Sequence, residues 1–103
     1  MKNTILNITS NGVQEFEGIV GSIKKIFILN ERITHNVILT FKTNEDETIY
    51  SLNPNNEVVN IYPYNFIDVQ GRGCEYYSNG SLFLEVEGLQ ENEEIKQVSI
   101  FYE

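Results

Sequence analysis

The segment from Cys74 to Gly88 constrains the fold more than any other stretch of the chain. Asn79-Gly80 is a residue pair that readily adopts positive φ at both centres of a type I′ turn, and it stands between two runs rich in aromatic and branched residues. After it, aliphatic side chains alternate with Phe83 and two carboxylates, which predicts one core face and one solvent face. The alternating positions are Leu82, Leu84 and Val86 against Phe83, Glu85 and Glu87. The segment predicts a β-hairpin whose apolar face needs cover from other strands, because a lone hairpin is marginal in water.

The remaining sequence predicts further strands punctuated by turns. Asn11-Gly12 is a second hairpin signal, and Gly18 and Gly21 argue against a helix and for a strand that bends or bulges there. The expected strands are Thr4–Ser10, Val13–Val20, Ser22–Asn30, Ile33–Thr43, Thr48–Leu52, Val58–Tyr62, the short strand Phe66–Val69, the two hairpin arms and Ile95–Tyr102. About eight or nine strands suit a single antiparallel β-sandwich domain over residues 1–103, with a β-barrel as the alternative.

Composition and charge limit the classes of function. The 103 residues form one domain, and a net charge of −8 disfavours direct binding to nucleic acid or to an anionic membrane. Residues 1–51 hold six acids and five bases, whereas residues 52–103 hold nine acids and two bases. The acidic second half is typical of a solubilising surface, of a surface for a partner with a basic patch, or of mimicry of a nucleic-acid backbone.

The chain offers no catalytic constellation. Cys74 is the single cysteine and His35 the single histidine, so neither a disulfide nor a zinc site is expected. Glu85 and Glu87 lie on a strand's solvent face without a predicted pocket, and the acidic segment 44–47 lacks the spacing of a calcium loop. We therefore predict no enzymatic activity, no metal and no cofactor.

The first residues lack the apolar core of a signal peptide, and no run approaches membrane-spanning length. This pattern predicts a protein that is made in the cytoplasm and not exported by a signal peptide.

Several residues are candidates for contact with another protein. Ile26, Phe27, Ile28 and Leu29 form an apolar run without alternation, typical of a strand covered on both faces, of a contact surface or of an interface between copies of the chain. The other candidates are exposed aromatic or charged residues, namely Tyr62, Tyr64, Arg72, Tyr77, Glu85 and Glu87.

The Asn-Gly-punctuated strands at Thr4–Val13 and Cys74–Val86 resemble those of the small β-sandwich accessory proteins that decorate phage capsids or join virion parts. The resemblance covers most of the chain and rests on architecture and composition, without a diagnostic motif. It implies a non-enzymatic assembly protein that binds capsid or other virion proteins stoichiometrically and becomes part of the virion. Two alternatives stay open: an acidic inhibitor of a nucleic-acid-binding enzyme, and a carbohydrate-binding module that uses the tyrosines.

Overall fold

The computed structural model describes residues 1–30, 33, 36–43, 46–53, 58–62 and 76–103. In these residues every regular element is a strand and every strand pair is antiparallel. The strands are β1 (Lys2–Ile8), β2 (Gly12–Leu29), β3 (Ile38–Lys42), β4 (Thr48–Leu52), β5 (Val58–Ile61), β6 (Tyr77–Glu87) and β7 (Ile95–Tyr102). The predicted all-β class is confirmed, and this part of the chain contains no helix that could cross a membrane.

The sheet is organised around β2, the longest strand. The strand order is β1-β7-β2-β6-β3-β4, and β5 pairs with β2 off this path. Residues 12–22 of β2 pair with β6, whereas residues 23–29 pair with β7 and residues 26–29 also pair with β5. We refer to residues 12–22 with β6, β3 and β4 as the β6 half of the sheet, and to residues 23–29 with β7, β1 and β5 as the β7 half.

β2 must bend where it passes from one half to the other. Eighteen residues at about 3.3 Å each would extend to about 59 Å, whereas the longest dimension of the molecule is 34 Å. The pairing with β6 shifts register at Gly18, which has a φ of 72°, and Gly21 has a φ of 139°. A further register shift against β7 follows between Ile23 and Lys25. The prediction that the glycines bend or bulge the strand is confirmed, but the two strands predicted on either side of Gly21 are one continuous strand.

Both halves of the sheet bury their inner faces in a single core. The cluster contains side chains from β1, β2, β3, β5, β6 and β7, and Phe16 and Phe41 are among its largest fully buried members. Leu82, Leu84 and Val86 are at most 1% exposed, which confirms the predicted core face of that segment. Because both halves cover one core, their outer faces point away from each other.

The predicted turn at Asn79-Gly80 is wrong. Residues 77–87 form one uninterrupted strand, in which Asn79 pairs with Val20 and Gly80 pairs with Ile19. Gly80 has a φ of 134° and lies directly beside the bulge at Gly18. The positive φ of Gly80 therefore does not form a turn. It accompanies the register shift in the long β2–β6 pair.

The second hairpin signal, Asn11-Gly12, does not produce a hairpin. Asn11 lies between β1 and β2, and Gly12 begins β2, but β1 pairs with β7. The Asn11 side chain instead pairs with the backbone of Leu89, which follows β6. Its Nδ2 donates to the Leu89 carbonyl at 2.9 Å, and its Oδ1 accepts from the Leu89 N–H at 2.8 Å.

Most other predicted strands are confirmed. β4 and β7 match the predicted bounds, β3 and β5 lie within theirs, and β1 begins and ends two residues before its predicted range. Val37, Leu39 and Phe41 share the buried parity expected of them. The predicted strand Phe66–Val69, Cys74 and His35 lie outside the described residues. Because the two segments of β2 form one strand and the Asn79-Gly80 turn is absent, seven strands occur in the described residues.

Candidate protein-interaction surfaces

The outer face of the β7 half carries an apolar surface, which we call the apolar face. It consists of Ile5, Phe27, Leu29 and Phe101, whose positions alternate with core residues of β1, β2 and β7. Ile5 is 55% exposed, and the other three side chains are half-buried. The register places Ser99 between Ile5 and Phe27, and these neighbours leave Ser99 fully buried although it belongs to the outer face. The apolar side chains therefore lie on three neighbouring strands, with the buried Ser99 between them.

A lysine lies over this face. Lys25 Nζ is 5.8 Å from the ring centroid of Phe27 and 5.5 Å from that of Phe101. Both distances are within the range of cation–π attraction. Gln97 Nε2 donates to Ser99 Oγ at 2.6 Å on the same face. The apolar face therefore combines aromatic area with one positive charge and one amide.

The structure separates the predicted run Ile26–Leu29 into two faces. Ile26 and Ile28 lie in the core and are 1% and 0% exposed, so their side chains do not reach a partner. Phe27 and Leu29 lie on the apolar face. Successive side chains point to opposite faces, as in any strand. The sequence does not show this alternation, because the residues on both faces of this segment are apolar.

Of the other predicted contact residues, the structure describes Tyr62, Tyr77, Glu85 and Glu87. Tyr77 is 61% exposed at the start of β6, and Tyr62 is 37% exposed after β5. Glu85 and Glu87 lie on the outer face of β6, as predicted. Tyr64 and Arg72 lie outside the described residues.

A groove lies on the outer face of the β6 half. It has a volume of about 270 Å³ and is lined by Val13, Lys42, Thr43, Asp46, Phe83 and Glu85. The volume is slightly below the roughly 300–1,000 Å³ of typical small-molecule pockets, so it suits a side chain better than a cofactor. We call it the acidic groove, because its lining holds one lysine and two carboxylates.

Strand register and one turn bring the charged groups together. Lys42 on β3 pairs with Phe83 on β6, which places it diagonally across from Glu85. Lys42 Nζ is 2.5 Å from Glu85 Oε2 and 3.3 Å from Asp46 Oδ1. The turn after β3 holds Asp46 in reach, because the Asp46 N–H donates to the Thr43 carbonyl at 3.1 Å. A single lysine thus serves two carboxylates.

These contacts shift two pKa values. Hydrogen bonds to Glu85 and then Asp46 raise the pKa of Lys42 above its usual 10.5. The hydrogen bond from Lys42 and its positive charge lower the pKa of Glu85 below its usual 4.5. Because the groups are accessible to solvent, the ion pair fixes side-chain orientation more than it stabilises the fold.

The acidic groove is part of a wider acidic surface. Glu15, Glu17 and Glu87 share the outer face of the β2–β6 pair with Glu85. No two of these four carboxylates are directly paired across the strands: Glu15 faces Phe83, Glu17 faces Ser81, and Glu85 faces Val13. The Ser81 hydroxyl donates to Glu15 Oε2 at 3.0 Å. The charges are therefore concentrated without direct cross-strand repulsion.

The two halves of the sheet differ in charge. The strand residues of the β6 half carry four glutamates and one lysine, whereas those of the β7 half carry four lysines and no acid. The lysines of the β7 half are Lys2, Lys24, Lys25 and Lys96. The sequence had placed the asymmetry between residues 1–51 and 52–103, but the fold joins Glu15 and Glu17 of the first part to Glu85 and Glu87 of the second.

Sequence reasoning identified Phe27 and Leu29 but missed Ile5 and Phe101 of the apolar face and Val13 and Phe83 of the acidic groove. Ile5 and Phe101 are apolar residues on the polar sides of alternating strands. Val13 is an apolar residue on the outer face of β2, next to its first residue. An apolar residue on the polar side of a strand was the available signal, but it becomes a surface only when the pairing of β1, β7 and β2 is known.

The fold and its surfaces define a small antiparallel all-β domain with two chemically different outer faces. In the described residues, no group of three or more histidine, cysteine or acidic side chains is arranged to hold a metal ion. Comparison of the chain with protein-family models, with curated proteins and with solved structures gives no match.

Proposed function

We propose that this chain is a non-enzymatic protein-binding module that attaches to a larger protein assembly, in the manner of a virion accessory or capsid-decoration protein. In this proposal it is made in the cytoplasm, binds protein surfaces and is incorporated into a virion without a cofactor. The observation that carries the proposal is the apolar face.

The apolar face has the features of a contact region. A half-exposed isoleucine, two phenylalanines and a leucine lie on three neighbouring strands around the buried Ser99, and Lys25 lies over the two rings. Aromatic residues at the centre of an interface contribute much of its binding energy. Lys25 adds a donor that can pair with a carboxylate or carbonyl of the partner.

The test compares two matched substitutions. Ile5→Glu places a charge on the apolar face, whereas Val20→Glu makes a similar change at a residue that is 52% exposed on the outer face of the β6 half. The tagged chain is expressed in its native host, and its co-sedimentation with large particles is measured by quantitative immunoblotting. We expect the unmodified chain and Val20→Glu to sediment with the particles and Ile5→Glu to lose at least about tenfold of the bound fraction.

Two results would contradict the proposal. One is that the unmodified chain remains in the low-mass fraction and does not sediment with the particles. The other is an equal loss for both variants, since it would show that the apolar face has no special part in binding.

A second candidate function is that of an acidic inhibitor that blocks a nucleic-acid-binding enzyme. The acidic groove and its flanking glutamates favour it, because a one-sign surface can occupy the basic groove of such an enzyme. In that case binding to a basic nuclease would weaken steeply with salt, and Ile5→Glu would leave it unchanged.

A further inference from the structure

We propose that the acidic groove is a specificity pocket for a lysine or arginine side chain of the protein partner, which lies over the Phe83 ring and pairs with Glu85 and Asp46. This inference rests on the proposed function, because it describes a second contact of the same module. It adds the chemistry of the partner, which presents an exposed basic side chain on an extended or loop segment.

Charge is the first argument. Lys42 is the single base in the groove and its two carboxylate partners leave one negative charge uncompensated. Glu15, Glu17 and Glu87 on the same face raise the excess to four negative charges. The surface potential therefore attracts a cation and repels an acidic partner.

The apolar part of the lining is the second argument. Val13 is 63% exposed and lies beside Phe83, so the groove offers hydrocarbon surface to the methylene stem of a long basic side chain. Phe83 also offers a ring to the cation itself. A simple metal ion or a bare ammonium has no methylene stem and would leave the hydrocarbon surface unused.

A lysine over aromatic rings also occurs on the other side of the molecule. On the apolar face, Lys25 lies over two phenylalanine rings at 5.5 and 5.8 Å. In the acidic groove Lys42 already contacts both carboxylates, and because their charge exceeds that of Lys42 by one, they can also pair with a partner's cation over the Phe83 ring. The volume of about 270 Å³ is that of a pocket for one side chain.

The probe is the blocked tripeptide acetyl-Gly-Arg-Gly-amide, with the glutamine peptide acetyl-Gly-Gln-Gly-amide as its neutral counterpart. Binding to the full chain is followed by ¹H–¹⁵N NMR at low salt, up to about 10 mM peptide because a single side-chain contact is expected in the millimolar range. The expected result is saturable shifts of the Val13, Lys42 and Phe83 amides with the arginine peptide alone.

Three variants identify the contacts. Glu85→Gln and Phe83→Leu are each expected to weaken binding of the arginine peptide at least about threefold. Glu17→Gln makes the same charge change as Glu85→Gln on the same face but outside the groove, and is expected to change it less than about 1.5-fold. A dispersed NMR spectrum shows that a variant is folded. If Phe83→Leu is not folded, the comparison of Glu85→Gln with Glu17→Gln is enough to test the inference.

The inference is overturned if no amide in the groove shifts. It is also overturned if Glu17→Gln weakens binding as much as Glu85→Gln, since equal weakening would show a general attraction to the acidic surface. Its failure is separable from failure of the proposed function. If Glu85→Gln leaves particle binding intact while Ile5→Glu removes it, the module binds its assembly without the groove.

Discussion

Gly21 is the position at which one added methyl group should damage the fold most specifically. It has a φ of 139°, a conformation that residues other than glycine rarely adopt. A Cβ at this position would overlap the backbone carbonyl of Glu103. That carbonyl accepts the Ser22 N–H at 2.8 Å, and the Glu103 N–H donates to the Ser22 carbonyl at 3.0 Å. Gly21→Ala must therefore displace the end of the chain, distort β2, or do both.

The magnitude follows from two separate losses. Holding alanine at such a φ costs about 1–3 kcal/mol. Breaking the two Ser22–Glu103 hydrogen bonds costs a further ~2 kcal/mol, at about 1 kcal/mol each. The total of about 3–5 kcal/mol is a large part of the roughly 5–15 kcal/mol that stabilises a domain. Gly18→Ala is the matched control, because Gly18 also has positive φ but has open space around its Cβ position, and it should cost about 1–2 kcal/mol.

The assay is urea denaturation followed by tyrosine fluorescence, since the chain has six tyrosines and no tryptophan. Gly21→Ala is measured in the full chain and in a chain that lacks Glu103. Deleting Glu103 removes the overlap and the two hydrogen bonds, so the cost of Gly21→Ala should fall to its φ strain of about 1–3 kcal/mol. The reasoning is refuted if Gly21→Ala costs no more than Gly18→Ala, or if its cost is the same in both chains.

Three further changes test the core, the ion pair and one loop contact. Leu84→Ala empties a fully buried position and should lower the free energy of unfolding by about 2–5 kcal/mol, and a loss below 1 kcal/mol in urea denaturation would contradict its placement. Because the folded-state pKa of Glu85 is lowered, its stabilising contribution is present above the usual pKa of 4.5 and is lost as pH falls through the lower folded value. The acid dependence of the urea midpoint should therefore be weaker in Glu85→Gln than in Glu17→Gln, and equal curves would argue against the ion pair. Asn11→Ala removes both hydrogen bonds to the Leu89 backbone and should cost about 2 kcal/mol, with faster hydrogen exchange of the Leu89 amide; unchanged exchange would contradict the contact.

Strand alternation carried most of the fold prediction. Segments with one apolar and one polar face, such as Ile95–Tyr102, were found with the right bounds because the period of two reports directly on burial. The run Ile26–Leu29 showed no period, since Phe27 and Leu29 form an apolar surface on the side that is usually polar. Local pattern could indicate a strand there but could not say which side chains reach the surface.

The turn at Asn79-Gly80 failed because a local preference competed with a long-range pairing. Asn-Gly favours a type I′ turn, but the strand that contains it makes ten paired positions with β2. A hairpin at Asn79 would break that pairing. It would leave Phe16 and Ile19, which are fully buried, without the strand that pairs with them. The bulge at Gly18 uses the positive φ of Gly80 without breaking the strand. Nothing near residue 80 in the sequence reports on residues 12–22.

The acidic groove could not be predicted for the same reason. Val13, Lys42 and Glu85 come from three strands that are far apart in the sequence and meet only through the order β2-β6-β3. The net charge indicated an acidic surface, and Glu85 was identified as part of it. The lysine that orients Glu85 and the ring that lines the groove required the register.

β2 contributes residues to both candidate surfaces, and its bend places these surfaces on different sides of the core. The same strand supplies Val13 to the acidic groove and Phe27 to the apolar face, while the bulge at Gly18 and the bend at Gly21 turn these ends toward different sides of the core. In the function that we propose, these two surfaces allow one chain to contact two neighbouring parts of an assembly at once. The two surfaces share no residue, so Ile5→Glu and Glu85→Gln should weaken particle binding additively in free energy. Strong non-additivity would instead indicate that one partner spans both faces or that one substitution disturbs the other surface through β2.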